Sequence, residues 1–325
     1  MLNRRHLFGL TVGALAAPSL ASAQAAWPNR TIRLIAQFPP GGLVDTVARL
    51  MAPMMAQALG QTVLVENRAG AGGVIGTDFA ARQAADGYSL LVSHASVHVF
   101  AAATRPTLPF HPINDFTHMM HLVEASNVIL VRGNSPFQTL EQYVTAARTR
   151  PVRFGSSGIG SAPHLLGAML SSEARSPNLD HVPYAGSAPA MQDLLAGNIE
   201  SMVDPITTNV AQLRDGTLRA LAVSTPQRLP AFPNIPTFAE LGYGKLTSAQ
   251  WLGLSAPKNL PPAIVERLTA IVPPMLRAPA LMARLQDLQT LPRSPSPQGA
   301  DFVKLMQDEI GEWTAVARQF NIVVG

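Results

Sequence analysis

Residues 37–51 read QFPPGGLVDTVARLM. The apolar run Ile32–Ala36 ends just before this stretch, and an amphipathic helix opens just after it, with Asp45 in its first turn. The junction, Pro39-Pro40-Gly41-Gly42, carries almost no side chain. Glycine there serves one of two ends, or both. It reaches backbone angles closed to other residues, and it lets something else lie against the main chain.

Working outward, the helix places Leu43, Val47, Leu50, Met51, Met54 and Ala58 on one face; Gly60 ends it, and Pro53 is expected to kink it. The same pattern recurs twice. Strand Val63–Val65 meets a helix from Val74 through Gly70-Ala71-Gly72-Gly73, and strand Val152–Phe154 meets a helix over 162–174 through GSSGIGS at 155–161. Ser89–Val92, Val128–Val131, Ile199–Val203 and Leu218–Val223 read as further strands. His181–Tyr184 leads into a helix over 188–195 stopped by Gly197, and 140–148 is another helix. The C-terminal part reads as helical over 262–288, interrupted at Pro273-Pro274, and again over 297–320. Alternating strands and helices predict a parallel α/β architecture. The rhythm restarts after residue 126 with no flexible tether, which predicts two lobes joined by crossing strands. Ligands of open parallel sheets sit beyond the carboxyl ends of the strands, so the three junctions are expected to line the cleft.

Composition narrows the field. A chain of 325 residues with 47% hydrophobic and 14% charged residues builds buried cores. The first 23 residues read as an export signal: Arg4-Arg5, an apolar stretch from Leu7 to Ala17, and Ala21-Ser22-Ala23 before Gln24. The paired arginines resemble a twin-arginine signal, with Asn3 in place of the usual Ser or Thr; a Sec-type signal is the alternative. Removing it takes the formal charge from +4 to +2, because it holds two arginines and no acid. That balance, with no basic cluster, excludes nucleic acid as a partner. Zero cysteines exclude disulfides and thiol chemistry.

The junctions contain no Lys or Arg; Arg49 and Arg68 only flank them. The phosphate-loop pattern is absent, and the dinucleotide pattern fails at Ile75, where a third glycine should follow Gly70 and Gly72. A small, modestly charged anion such as a carboxylate, held by backbone N–H and hydroxyl donors, fits this lack of cations; tight turns without a ligand are the bland alternative. Ser156 and Ser157 do not form a nucleophile elbow. His94 and His98 lie four apart without a third metal ligand in a recognised spacing. His164 serves a ligand or a neighbouring carbonyl, and Asp45 and Asp204 are each a structural partner or a ligand contact. Met54, Met55 and the tryptophans read as packing.

Along its whole mature length the chain resembles the Bug family, the substrate-binding proteins of tripartite tricarboxylate transporters. The likeness lies in FPPGGLVDTVAR (38–49), GQTVLVENRAGAGGVIG (60–76), LPFHPINDF (108–116), GSSGIGSAPHL (155–165), HVPYAGSAPAMQDLLAGNIE (181–200), FPNIPTFAELGYG (232–244) and WLGLSAPKNLPP (251–262). The resemblance implies a two-lobed type II periplasmic-binding-protein fold, each lobe a Rossmann-like sheet flanked by helices. Residues 24–126 and 247–325 would form lobe 1, and 127–246 lobe 2. It implies that a small organic carboxylate is captured between the lobes and delivered to membrane permease subunits, by a periplasmic monomer without cofactor, metal or catalysis. The expected ligand-binding set is Phe38, Gly41, Gly42, Leu43, Asp45, Ser93, Ser157, Gly160, Ser161, His164, Tyr184, Gly186 and Asp204. Leu43-Val44, Ile159, Ala185 and His111 depart from the residues common at their positions, which points to a ligand less charged than citrate. A sensor-kinase partner and an exported hydrolase on the same architecture are the rival readings.

Overall fold

The computed structural model describes residues 27–184 and 186–324; the expected export signal at 1–23 lies outside them. The first part of the chain runs β1 (Ile32–Ala36), α1 (Leu43–Leu59), β2 (Val63–Asn67), α2 (Val74–Ala81) and β3 (Ser89–His94). A π-helical turn over Ser96–Phe100, α3 (Ala101–Thr104) and β4 (Phe116–Ala125) follow. The middle part comprises β5 (Asn127–Arg132), α4 (Leu140–Thr149), β6 (Val152–Ser156), α5 (Ala162–Glu173), β7 (Leu179–Pro183), α6 (Ser187–Ala196), β8 (Ser201–Pro205), α7 (Val210–Arg214) and β9 (Leu218–Val223). The chain then returns with β10 (Gln250–Pro257), α8 (Pro262–Leu276), α9 (Pro279–Asp287), β11 (Thr290–Leu291) and α10 (Gly299–Gln319).

These strands form two sheets, ordered β11-β4-β10-β3-β1-β2 and β7-β6-β8-β5-β9. The strands that follow the βαβ rhythm are parallel, and those at the crossing between sheets are not. β1 pairs in parallel with β2 and β3, and β6 with β7 and β8, but β10 runs antiparallel to β3 and β4, and β5 antiparallel to β8 and β9. The cause is the double crossing. β4 passes into β5 through the single residue Ser126, and the segment after β9 returns to the first sheet as β10. A helical crossover within one sheet brings the chain back in the same direction; β5 and β10 each arrive from the other sheet instead, and each runs against the strands it pairs with.

Side chains hold the crossing point. The Asn127 N–H donates to Ser224 Oγ (3.0 Å), the Ser224 N–H to Ser126 Oγ (2.9 Å), and Ser224 Oγ to the Ser248 carbonyl (2.6 Å). All three of Ser126, Asn127 and Ser224 are buried.

In the first body, the apolar face of α1 (Val44, Val47, Met51, Met55) packs with Leu34, Leu90 and Leu254 and with Ile264, Leu268 and Val272 of α8. A second core joins the two bodies, because Phe302, Met306 and Trp313 of α10 cluster with Phe100, Ile129, Phe154 and Leu165. α1 continues past Pro53 and α8 past Pro273-Pro274. The expected interruption falls instead at Ala278, which is extended (φ −63°, ψ 131°) ahead of Pro279. A residue before proline is driven out of the helical region, whereas proline in a final turn removes few bonds.

Replacing Ser224 with alanine strands the buried Asn127 N–H and the Ser248 carbonyl, and is expected to cost about 1–3 kcal/mol of stability. Denaturant unfolding measures this; an unchanged midpoint would show that the crossing does not depend on the hydroxyl.

Candidate ligand-binding cleft

Between the two sheets lies a cleft of about 440 Å³. Phe38, Leu43, Ala71, Gly72, His94, Ser96 and Gln250 line it from the first sheet, and Phe100, Ala101, Thr104 and Arg105 from the turn and helix after β3. Ser157, Ile159, Gly160, Ser161, Ala162, Pro163, Ser187, Pro205, Thr207 and Thr208 line it from the second sheet, with Val324 from the chain's end. Two of the three small-residue junctions, at 70–73 and 155–161, therefore line the walls themselves, and the first contributes through its flanking residues Phe38 and Leu43. A larger hollow of about 820 Å³ around Arg105, Phe110 and His111 touches none of them.

Among the expected site residues, Phe38, Leu43, Ser157, Gly160 and Ser161 face this space. The others stand outside its lining, each for a visible reason. Gly41 adopts φ +84° and directs its N–H to Asp45 Oδ2 (2.9 Å), while Gly42 is the residue before α1. The buried Asp45 also accepts from Arg49 Nε (2.9 Å) and Asn67 Nδ2 (2.9 Å), so it fastens the turn. Burial acts to raise the Asp45 carboxyl, but the bonds from Arg49, Gly41 and Asn67 outweigh it and hold the group below the usual range. Ser93 points away from the cleft and takes a hydrogen bond from Ser255 Oγ (2.9 Å); successive strand residues face opposite sides, so His94 occupies the cleft face. Tyr184 donates to Asp193 Oδ2 (2.7 Å), and Gly186, at φ +121°, opens α6. Asp204 lies buried behind Ser187 and Thr208.

His164 shapes the loop rather than the cleft wall. Its Nδ1 accepts the Gly160 N–H (3.1 Å), and its ring stacks on His181 at 3.7 Å between centroids. Ser161 caps α5: its Oγ accepts the His164 N–H (3.3 Å) and donates to the Gly158 carbonyl (2.7 Å). Of the four departures noted in sequence, Leu43 and Ile159 line the cleft, and Ile159 is 54% exposed. His111 accepts the Ile113 and Asn114 N–H groups elsewhere, and Ala185 lies outside the described residues.

No Asp or Glu lines the cleft, and Arg105 is the one formally charged residue among the described lining residues. Burial, aided by the neighbouring His98, pushes His94 down to about 3, so its ring is neutral. Its Nδ1 accepts the Ser96 N–H (3.0 Å), which leaves the proton on Nε2 as a donor. Among the described residues, the backbone N–H groups of Leu43, Ala71, Gly72, Ser157, Ile159 and Ala162 have no acceptor within the protein. Such groups at glycine-rich turns and helix starts suit an anion. Sequence reading weighed His94 only as a metal ligand and missed Gln250, because buried strand ends carry no motif. It missed Arg105 because a lone arginine before Pro106 reads as surface charge.

Two α/β bodies linked by crossing strands around a cleft define a two-lobed solute-binding protein. Residues 47–322 match the tripartite tricarboxylate transporter family receptor, TctC, and the chain belongs to that family, whose members are periplasmic. It is 34% identical to the protein BugT of Bordetella pertussis over 96% of this chain and 95% of that one. MatC from Rhodopseudomonas palustris, solved with bound malate, superposes with a TM-score of 0.75 at 33% identity, covering 89% of this chain and 99% of that one. An R. palustris protein solved with adipate gives a TM-score of 0.79 at 29% identity, covering 91% and 99%.

Burial pushes His164 down to about 4 and His181, which also faces His164, down to about 3. A histidine whose folded pKa lies below its unfolded value of about 6.5 contributes fully above that pH and loses its contribution as pH falls. Unfolding free energy is therefore expected to decline from about pH 6.5 to about pH 3, the His164 part levelling off near pH 4. Urea midpoints that stay flat across this window would show the stack to be charged or exposed.

Proposed function

We propose that this protein captures a small organic carboxylate in the cleft between its sheets and hands it to the membrane subunits of a tripartite tricarboxylate-type transporter. One observation carries the reading: among the described residues, the cleft has no acidic wall residue, a single arginine, and six backbone N–H groups without a protein acceptor. Ligand-bound relatives, one with malate and one with adipate, support a carboxylate as the chemical class. The volume of about 440 Å³ lies within the range of small-molecule sites. Phe38, Leu43, Phe100, Ile159 and Val324 make much of the wall apolar, which favours a carboxylate with an apolar body over one as charged as citrate.

Residues 24–126 with 247–325, and 127–246, are the two bodies that close on the ligand, pivoting at Ser126 and at the return into β10. Closure is driven by the ligand's preference for the closed state, and the closed surface is what the permease reads. Residues 1–23 serve as the export signal, and the mature protein acts as a monomer without catalysis.

The hydrolase reading has one structural point in its favour, a Ser156 Oγ to His181 Nε2 distance of 2.7 Å. That pair is a poor catalyst. Ser156 is fully buried outside the cleft lining, its oxygen is also bonded to Gly158, and burial leaves His181 a weak base.

Calorimetry against a panel of mono-, di- and tricarboxylic acids tests the assignment, with tight binding restricted to citrate-like acids as the contrary result. Ser157→Ala is expected to weaken binding by about 0.5–1.5 kcal/mol, and Arg105→Gln by about 1.5–3 kcal/mol, as for a neutral and a charged hydrogen bond. Wild-type affinity in both variants would move the ligand elsewhere.

A further inference from the structure

A hydroxyl group has one proton and two lone pairs, so once its proton is engaged it can only accept. In this cleft most hydroxyl protons are engaged. Ser96 donates to Gln250 Oε1 (3.3 Å), and Ser161 to the Gly158 carbonyl (2.7 Å). The pattern matters most at the α6 and β8 end. Ser187 Oγ donates to Asp204 Oδ1 at 2.5 Å, and Thr208 Oγ1 is 2.8 Å from Asp204 Oδ2 and 3.0 Å from the Pro205 carbonyl. Whichever oxygen Thr208 uses, its proton points into the protein.

Asp204 is 1% exposed and accepts a further bond from Asn209 Nδ2 (2.9 Å). Three side-chain donors converge on it, and among the described residues no cation lies within ion-pair distance. Asp204 is therefore held by hydrogen bonds alone, and its two carboxyl oxygens stand as acceptors directly behind the two hydroxyls. Burial pushes its pKa up, against the lowering effect of the Ser187, Asn209 and Thr208 bonds. The opposite wall has the reverse polarity: His94 offers an Nε2–H, Gln250 an amide, and Arg105 a guanidinium.

We propose that this cleft selects carboxylic acids that carry a hydrogen-bond donor, a hydroxyl or an ammonium group, remote from the carboxylate. The inference rests on the carboxylate reading above. The carboxylate lies toward His94, Gln250 and Arg105, and the donor reaches the lone pairs of Ser187 and Thr208. A second ionised carboxylate at that end meets lone pairs backed by Asp204 and is repelled. An alkyl end desolvates the remaining lone pairs of both hydroxyls without meeting them, Thr208 already accepting one bond from Asn209 Nδ2 (3.0 Å), which also costs affinity.

The test is calorimetry on the intact protein with butyrate, 4-hydroxybutyrate, 4-aminobutyrate and succinate, and with their five- and six-carbon counterparts. Within a matched set, the hydroxy or amino acid is expected to bind about fivefold tighter than the alkyl acid, with the dicarboxylate weakest. Ser187→Ala is expected to reduce the affinity of the donor-bearing acid about fivefold more than that of the alkyl acid. Asp204→Asn, checked for folding by circular dichroism, supplies an amide donor, frees Ser187 to turn outward and moves the ranking toward the dicarboxylate. Binding of acids without any preference for a donor overturns this inference and leaves the carboxylate reading intact. A preference for the dicarboxylate in the wild-type protein likewise overturns it, and places the Asp204 proton outward through Ser187. If no acid binds, both readings fall.

Discussion

Ser126 is the only residue between two strands that belong to different sheets. Much of the architecture follows from that economy. With no loop to turn the chain, β5 enters the second sheet against its neighbours, and β10, after the connecting segment 224–249, runs against its neighbours in the first. The crossing also brings buried polar backbone to a place where neither sheet's ladder can satisfy it. Serine hydroxyls substitute for the missing ladder, through Ser126, Ser224 and the Ser248 carbonyl. Because these are short side chains on adjacent strands, they hold the two sheets close and leave one gap between them.

That gap is where the unpaired main-chain donors gather. A folded protein rarely leaves backbone N–H groups without acceptors. Here they collect at turns stripped of side chains, next to neutral donors such as His94 and away from Asp and Glu. The aspartates near the cleft are spent on other work. Asp45 ties its turn to Arg49 and Asn67, and Asp204 orients hydroxyls from behind. The polarity of the cleft is thus set largely by groups that do not line it.

Much of this was legible in the sequence. The strand–helix–glycine pattern located β1–β3, β5, β6, β8, β9 and the three junctions, because local periodicity and glycine conformation are local properties. The longest pieces it missed were β4 and β10. Both are buried along their length, and β4 carries His118 and His121 while β10 carries Gly253 and Pro257, so neither shows the alternation that marks a strand. For the same reason antiparallel entry could not be foreseen. In the cleft, the junction serines and Leu43 were visible from motif alone. Ser93 and His94 differ by one position, and only the pleat decides which faces the ligand. Asp45 and Asp204 read equally well as contacts or supports, since hydrogen-bond direction is a property of three dimensions.

The apolar seam along α10 carries a mechanical implication. Trp313 packs on Phe100 at 5.1 Å between ring centroids, Phe302 shares a core with Phe154, and Gln319 bonds Ser172 on α5. Dispersion forces have no preferred direction, so such a seam tolerates lateral slip at little cost but resists being pulled apart. An opening of the gap that parted the two halves along this helix would therefore have to bring those rings into water.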